Sequence, residues 1–318
     1  MHDLVIIGGG PAGAAAAVYA ARKQLKTALI VEDWGGQSAV SSEIQNWVGT
    51  SAISGADLAD NLKNHVEAYA GKILDINRGT RAIALTTFDD RVEVMTAKGE
   101  KVEAQTALIA SGATRRKLEV PGAAQFDQKG LTYCASCDGP LFESKDVAVI
   151  GGGNAGFETA LQLLAYCKTV TLLNRTDTFR ADEISVAAAL AHPNMKAVMN
   201  AVPVEVIGEQ FVTALRYSAG GGSASGGKDR VEKTLAVEGI FVEIGLLPNT
   251  AWVGDTLVKN KIGQIVVDPK TQRASHQRVW AAGDCTDGLY HQNNIAAGDA
   301  VKALEDIYLF LRKVTSEI

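Results

Sequence analysis

Leu4-Val5-Ile6-Ile7-Gly8-Gly9-Gly10-Pro11-Ala12-Gly13 reads as a buried strand running into a glycine turn. An Ala-dense stretch, Ala14 to Arg22, follows as a helix, and Thr27 to Val31 is a second short apolar run. Strand, turn, helix and strand in this order are the βαβ layout of a parallel sheet. The layout returns further along. Val147-Ala148-Val149-Ile150 leads into Gly151 to Gly156, a helix is expected near Phe157 to Tyr166, and Val170 to Leu173 forms the next strand. The chain is therefore expected to carry two nucleotide-binding units of one type.

The spacing between these units is also readable. Gly71 to Ala113 looks β-rich, with a partly alternating strand at Val92–Thr96, a turn at Lys98-Gly99-Glu100 and a buried strand at Thr106–Ala110 ending in Ser111-Gly112. A similar strand-then-glycine stretch spans Gly239 to Gly245, so these two places are candidates for the chain leaving one domain and returning to it. Ser218 to Gly227 contains only Gly, Ser and Ala and reads as a flexible hairpin tip. Val301, Leu304, Ile307 and Leu311 share one helical face, and Arg312-Lys313 suit a helix C-terminus.

Gly8, Gly10 and Gly13, with Pro11 and Ala12 between the last two, fit G-x-G-x-x-G. The first glycine permits the tight turn, the second lets backbone approach a pyrophosphate, and the third allows close helix–strand packing. The helix N-terminus then offers free N–H groups to the phosphates. Glu32 ends the next strand, where an acid accepts the ribose hydroxyls of a dinucleotide. Gly151, Gly153, Asn154, Ala155 and Gly156 repeat the pattern, but Asn174 stands at the end of the following strand, with Arg175 next to it and Arg180 further on. Arginines there pair a 2′-phosphate, which favours NADP over NAD; the plain alternative is that they are solvated surface charges.

Cys134-Ala135-Ser136-Cys137 is the reactive candidate. Two thiols at this spacing can close a small, reducible ring, and a lowered thiolate pKa makes one of them nucleophilic. Zinc is the rival, but it needs about four ligands, and the sequence offers no second C-x-x-C and no nearby His pair. Asp138 follows directly and can give or take the proton that thiolate chemistry requires, or be an ordinary turn residue before Gly139-Pro140. Cys167 and Cys285 are single cysteines and read as structural. Trp280-Ala281-Ala282-Gly283-Asp284 is a short strand ending in Gly-Asp.

Composition narrows the class. At 318 residues the chain is long enough for two domains. Its net charge of −5 lacks the basic footprint of a nucleic-acid binder. The hydrophobic fraction of 47% supports a sizeable core. No apolar run reaches the roughly 18–20 residues of a membrane span. Met1-His2-Asp3 runs straight into a strand without the basic start of a signal peptide. With four cysteines a disulfide scaffold is not expected, so the cytoplasm is the expected location.

Taken together, the first glycine motif, Gly35-Gly36-Gln37, C-A-S-C-D-G, the second glycine motif and A-A-G-D resemble the low-molecular-weight thioredoxin reductase family over essentially the whole chain. Leu131-Thr132-Tyr133-Cys134, Asp138 to Phe142, Gly239 to Val242 and Gly245 to Thr250 are closer still to the flavoprotein subunit of alkyl hydroperoxide reductase. That subunit carries an extra N-terminal thioredoxin-fold region, which is not expected here because the chain starts at its first strand. The resemblance implies an α/β fold of two Rossmann-like domains, one inserted in the other. These are an FAD-binding domain in two segments, 1–113 and 244–318, and a nicotinamide-binding domain, 114–243, carrying the redox-active pair. It implies FAD on Gly8, Gly10, Pro11, Ala12, Gly13 and Glu32 at the ADP part. Gly36, Gln37 and Asn46 approach the flavin end, and Asp284 with Gln292 holds the ribityl and ring region. It further implies a Cys134–Cys137 disulfide facing the flavin, a homodimer, and a thioredoxin-like redox protein as partner, with no nucleic acid and no membrane.

Two positions depart from the family. Thioredoxin reductases usually show His-Arg-Arg-x-x-x-Arg at the 2′-phosphate, where this chain has Asn174-Arg175-Thr176-Asp177-Thr178-Phe179-Arg180. NADPH is therefore the expected donor, with NADH possible. The usual Arg-Gln after the A-A-G-D strand is His291-Gln292. The expected activity is transfer of electrons from NAD(P)H through FAD and Cys134–Cys137 to a redoxin disulfide. The alternatives are a non-nicotinamide donor such as ferredoxin, a reductase of a peroxiredoxin system, and a redox-sensing flavoprotein without turnover.

Overall fold

The computed structural model describes residues 1–41, 43–71, 73–220 and 230–316. The chain forms two compact units. Unit 1 comprises residues up to Ser41, Trp47–Thr114 and the chain from Leu247 onward; unit 2 comprises 115–246 together with residues 43–46.

In chain order, unit 1 begins with β1 (His2–Gly9), α1 (Pro11–Arg22), β2 (Thr27–Trp34), α2 (Gly55–Glu67), β3 (Leu74–Arg78), β4 (Ala82–Thr87), β5 (Val92–Thr96) and β6 (Lys101–Ile109). The chain passes to unit 2 at β7 (Ala113–Arg115). There follow β8 (Leu131–Thr132), α3 (Ala135–Asp138), β9 (Asp146–Ile150), α4 (Asn154–Leu163), β10 (Thr169–Leu173), α5 (Glu183–Leu190) and β11 (Met195–Val198). Then come β12 (Val202–Gly208), β13 (Val212–Ala219), β14 (Val231–Ala236) and β15 (Gly239–Val242). The return is at β16 (Leu246–Pro248), and β17 (Val279–Ala281) and α6 (Asn293–Ser316) complete unit 1.

Unit 1 is built on a seven-stranded sheet ordered β3-β2-β1-β6-β5-β4, with β17 also paired to β6. The strands around β1 are parallel, and β4, β5 and β6 pair antiparallel. Unit 2 has a parallel sheet ordered β11-β10-β9-β15-β8 and an antiparallel sheet β12-β13-β14. In both parallel arrangements the strand before the glycine turn is central, and the chain winds away on one side before returning to the other. These are two Rossmann-like sheets.

Both faces of these central strands are buried, which is why they read as unbroken apolar runs. Leu4 and Ile6 pack with α1 and α6, while Val5 and Ile7 pack with Val92, Val94, Leu257 and Ile265 on the other face. In unit 2 Ala148 and Ile150 face Leu215 and Tyr217, while Val147 and Val149 face Phe157 and Leu163. The alanines of α1 leave room for α6 to lie close, with Ala300, Ala303, Leu304, Ile307 and Leu311 buried. Val301, expected on that face, is only half-buried at its edge.

Element boundaries differ from the sequence expectations in local ways. α1 starts at Pro11 rather than Ala14, because proline's fixed φ and missing N–H suit the first helical position. β2 runs on to Trp34, so Glu32 lies within the strand instead of ending it; Gly9 pairs with Trp34 past a register shift. α4 spans Asn154–Leu163 rather than 157–166, since the Gly153 carbonyl already accepts the Phe157 N–H at 3.1 Å. The Gly/Ser/Ala tip expected over 218–227 falls mostly on 221–229, outside the described residues. No helix among the described residues is long and apolar enough to cross a membrane.

Candidate functional site

The three glycines of the first turn differ in what surrounds them. Gly8 has φ +122°, and a Cβ there would lie 2.1 Å from the Ala110 carbonyl oxygen. A Cβ on Gly13 would lie 1.9 Å from the Gly8 carbonyl oxygen, so this residue lets α1 close onto β1. Gly10 is different. Its φ of −77° and ψ of −174° are open to any residue, and the nearest atom to its Cβ position is 3.8 Å away. The protein itself makes no demand for glycine at position 10.

Gly10 lies on the wall of a cavity of about 800 Å³ in unit 1, with Gly8, Pro11, Ala12, Glu32, Gly36, Gln37 and Asp284. The cavity thus gathers most of the expected FAD residues. Glu32 is exposed, 3.9 Å from the Arg81 guanidinium. Gln37 donates its side-chain N–H to the Ala113 carbonyl. Asp284, just past β17, pairs with His291 Nδ1 at 3.4 Å. Gly13 is not on the wall. Gln292 precedes α6, where its carbonyl accepts the Ala296 N–H at 2.8 Å, and it is not on the wall. Asn46 groups with unit 2, its amide 3.5 Å from the Ser136 carbonyl. The sequence reading missed Thr80, which lines the cavity with a buried hydroxyl that has no partner among the described residues. Buried hydroxyls are nearly always hydrogen-bonded, and a ligand atom in the cavity would supply the bond.

The second turn repeats the first. Gly151 has φ +130° with the Glu243 carbonyl against it, Gly156 packs on the Gly151 carbonyl, and nothing lies within 4 Å of a Cβ on Gly153. Asn154 opens α4 and accepts the Asp182 N–H at 2.8 Å through Oδ1, while Ala155, next along α4, is exposed. Asn174 is buried and spent within its own loop: its amide donates to the carbonyls of Thr176 at 3.0 Å and Thr178 at 2.8 Å. It therefore shapes the loop carrying Arg175 and Arg180 rather than reaching outward. Both arginines are exposed, and among the described residues neither has a carboxylate partner.

Cys134 and Cys137 form a disulfide, with Cα atoms 5.3 Å apart. Both are half-buried at the start of α3, and the Cys137 N–H points at Cys134 Sγ, 3.2 Å away. Beside them Asp138 is buried; one carboxyl oxygen accepts the Thr132 hydroxyl and the other has no partner among the described residues. Burial pushes this carboxyl above the usual carboxylate range, against the Thr132 hydrogen bond and the charge of Arg115. Asp138 is thus disposed to hold a proton next to the disulfide. Cys167 and Cys285 are buried thiols that burial pushes up to about 11, so both stay protonated and inert at neutral pH. Among the described residues no cluster of three or more His, Cys, Asp or Glu side chains could hold a metal ion.

A buried acid absent from the sequence reading completes unit 2. Glu243, immediately past β15, accepts the Thr159 hydroxyl at 2.9 Å and lies 3.7 Å from the Arg115 guanidinium. Burial, the largest cause, pushes it up to about 7.

The family described as pyridine nucleotide-disulphide oxidoreductase matches residues 2–300. The chain is 39% identical over 306 residues to the F subunit of alkyl hydroperoxide reductase of Escherichia coli, covering 95% of this chain and 57% of that protein. It is 38% identical over 304 residues to a Bacillus subtilis protein named NADH dehydrogenase, with the same coverage. The chain thus spans a little over half the length of these relatives. Among solved structures, thioredoxin reductase from Streptococcus pyogenes superposes with a TM-score of 0.87 at 32% identity, covering 98% of this chain and 99% of that one. Thioredoxin reductase from Giardia duodenalis gives 0.89 at 29% identity, again over 98% and 99%. With two Rossmann-like sheets in the thioredoxin-reductase fold and a C-x-x-C disulfide, the chain belongs to the pyridine nucleotide-disulphide oxidoreductase family.

Proposed function

We propose that this protein is an FAD-dependent disulfide reductase that takes electrons from NAD(P)H and delivers them, through Cys134 and Cys137, to the disulfide of a thioredoxin-like protein. The observation that carries the reading is the half-buried Cys134–Cys137 disulfide, placed next to the buried Asp138 carboxyl in the unit that also bears the second glycine turn. Unit 1 fits FAD: Gly10 leaves a place for a pyrophosphate, Glu32 offers a ribose acceptor, and Thr80 and Asp284 line the same cavity. Unit 2 fits a nicotinamide dinucleotide, with Gly153 open and Arg175 and Arg180 free for a 2′-phosphate.

Bound in unit 1, the flavin supplies a two-electron relay between the nicotinamide and the disulfide. Two electrons and two protons convert Cys134–Cys137 to a pair of thiols. One thiolate, assigned to Cys134 by resemblance, attacks the partner's disulfide to form a mixed disulfide and expel one thiolate. Cys137 then attacks Cys134 Sγ, restoring the internal bond and releasing the second partner thiol. Asp138 holds the proton that a departing thiolate takes up. By the same resemblance the protein is a cytoplasmic homodimer.

Anaerobic stopped-flow mixing with NADPH and with NADH separately is the test. Rapid flavin bleaching by either, followed by reduction of a thioredoxin-like protein, is expected; bleaching by neither refutes the nicotinamide reading. Similarity to the F subunit of alkyl hydroperoxide reductase at 39% identity favours a second reading, in which the acceptor belongs to a peroxiredoxin system. Turnover with peroxide only when a peroxiredoxin is added distinguishes it.

A further inference from the structure

Glu243 stands where the parallel sheet of unit 2 divides. β10 and β11 lie to one side of β9, and β15 and β8 lie to the other. Open α/β sheets bind ligands at the carboxyl ends of the strands flanking such a switch point. The Glu243 N–H donates to the Ile150 carbonyl at 2.8 Å, and its own carbonyl packs against Gly151, so its backbone is part of the second glycine turn.

Its side chain is only 11% exposed. Oε1 accepts the Thr159 hydroxyl from α4, and Oε2 faces Arg115 from β7 at 3.7 Å. The other charged groups bearing on the pair are Glu158 on α4, which disfavours a second anion, and Asp138, which shares the field of Arg115. Packing here does not need an acid, because an amide oxygen would accept the Thr159 hydroxyl equally well. What the acid adds is a proton that comes and goes near neutrality, with burial raising its affinity for that proton. When Glu243 is protonated, Arg115 offers its O–H no acceptor, and Thr159 can accept it only by giving up the hydrogen bond that it donates. A dinucleotide at the turn brings carbonyl, hydroxyl and phosphate oxygens, and its anionic pyrophosphate favours the neutral acid.

We propose that Glu243 is a further binding residue of unit 2, meeting the dinucleotide as a neutral acid and donating its O–H to a ligand oxygen, so that binding takes up one proton from solvent. This rests on the reading that unit 2 takes a nicotinamide dinucleotide. The test uses the FAD-loaded protein and NAD⁺, which carries no titrating 2′-phosphate and passes no hydride to the oxidised enzyme. Calorimetric titration in two buffers of different ionisation enthalpy gives both Kd and the protons taken up. The wild type is expected to bind about tenfold more weakly at pH 8 than at pH 6, with proton uptake at the higher pH. Glu243→Gln keeps a donor and should bind with no pH dependence and no uptake from this site. A flat wild-type profile, or an unchanged slope in E243Q, overturns the assignment while leaving the dinucleotide reading intact. Should E243Q fail to fold, the wild-type proton count decides alone. Failure of both NAD⁺ and NADP⁺ to bind at any pH overturns both readings.

Discussion

The glycines of the first turn should fail in opposite ways when given a methyl group. In Gly13→Ala the new Cβ would lie 1.9 Å from the Gly8 carbonyl oxygen, against a contact limit near 3.0 Å. Helix α1 must then move by about 1 Å away from β1, through a core holding Leu4, Ile6 and Leu304. Overpacking of this kind costs about 1–3 kcal/mol, and more where backbone meets backbone. In Gly10→Ala the backbone conformation suits alanine and the nearest atom is 3.8 Å from the methyl, so flavin-free stability should stay within about 0.5 kcal/mol of wild type. On the proposed reading the methyl instead occupies the place of the pyrophosphate. Losing one charge-assisted hydrogen bond to the helix N-terminus, about 1.5–3 kcal/mol, weakens FAD by at least about tenfold. Flavin content per chain, read from the absorbance of released FAD, and thermal unfolding of the stripped protein measure the two effects separately. A Gly10→Ala protein that unfolds as readily as Gly13→Ala, or that holds FAD as tightly as wild type, would refute the assignment of the open glycine to the ligand.

Cys134→Ser and Cys137→Ser should each leave flavin reduction by the donor intact and abolish reduction of the partner disulfide; full redoxin-reducing activity in either contradicts the proposed relay. Asp138→Asn should slow turnover by about 10²–10⁴-fold, without changing flavin content; unaltered turnover removes Asp138 from the proton path. Arg175→Ala should raise KM for NADPH and leave that for NADH nearly unchanged, since only NADPH has a phosphate there to lose; equal effects mean the arginine does not read it. The Glu243 carboxyl is raised by folding from 4.5 to about 7, so the folded state holds more protons between these values. Its contribution to stability is full below about pH 4.5 and is lost as pH rises through 7, a change on the order of 3 kcal/mol. Denaturant unfolding at pH 5 and pH 8 should show this difference shrink in E243Q, and an identical difference in both proteins would contradict the burial argument.

The parts legible in the sequence are local in the chain. Both glycine turns, their strands and their helices were readable because a strand buried on both faces is continuously apolar and the turn follows it directly. The C-x-x-C pair was equally readable, since four consecutive residues carry the whole ring. Boundaries differed at Pro11, where proline's fixed φ suits the first helical position, and at Glu32 and Asn154, where backbone pairing runs past the residue that the side-chain pattern marks.

Only the folded structure separated residues that look alike on paper. Gly10 and Gly13 are the same residue in one motif, yet one faces empty space and the other a carbonyl oxygen, a distinction set by how α1 lies against β1. Asn174 stands where the first motif has its acid, yet its amide is bound to the Thr176 and Thr178 carbonyls within its own loop. Thr80 carries no motif at all, and only the structure shows its buried hydroxyl on the cavity wall without a partner among the described residues. Glu243 and Arg115 are distant in sequence, and no periodicity links them. Sequence alone determined which elements form, because propensity and burial pattern act between near neighbours. Which side chains share a site was decided by the sheet order, because strand pairing places the end of β15 against the end of β9 regardless of the chain length between them.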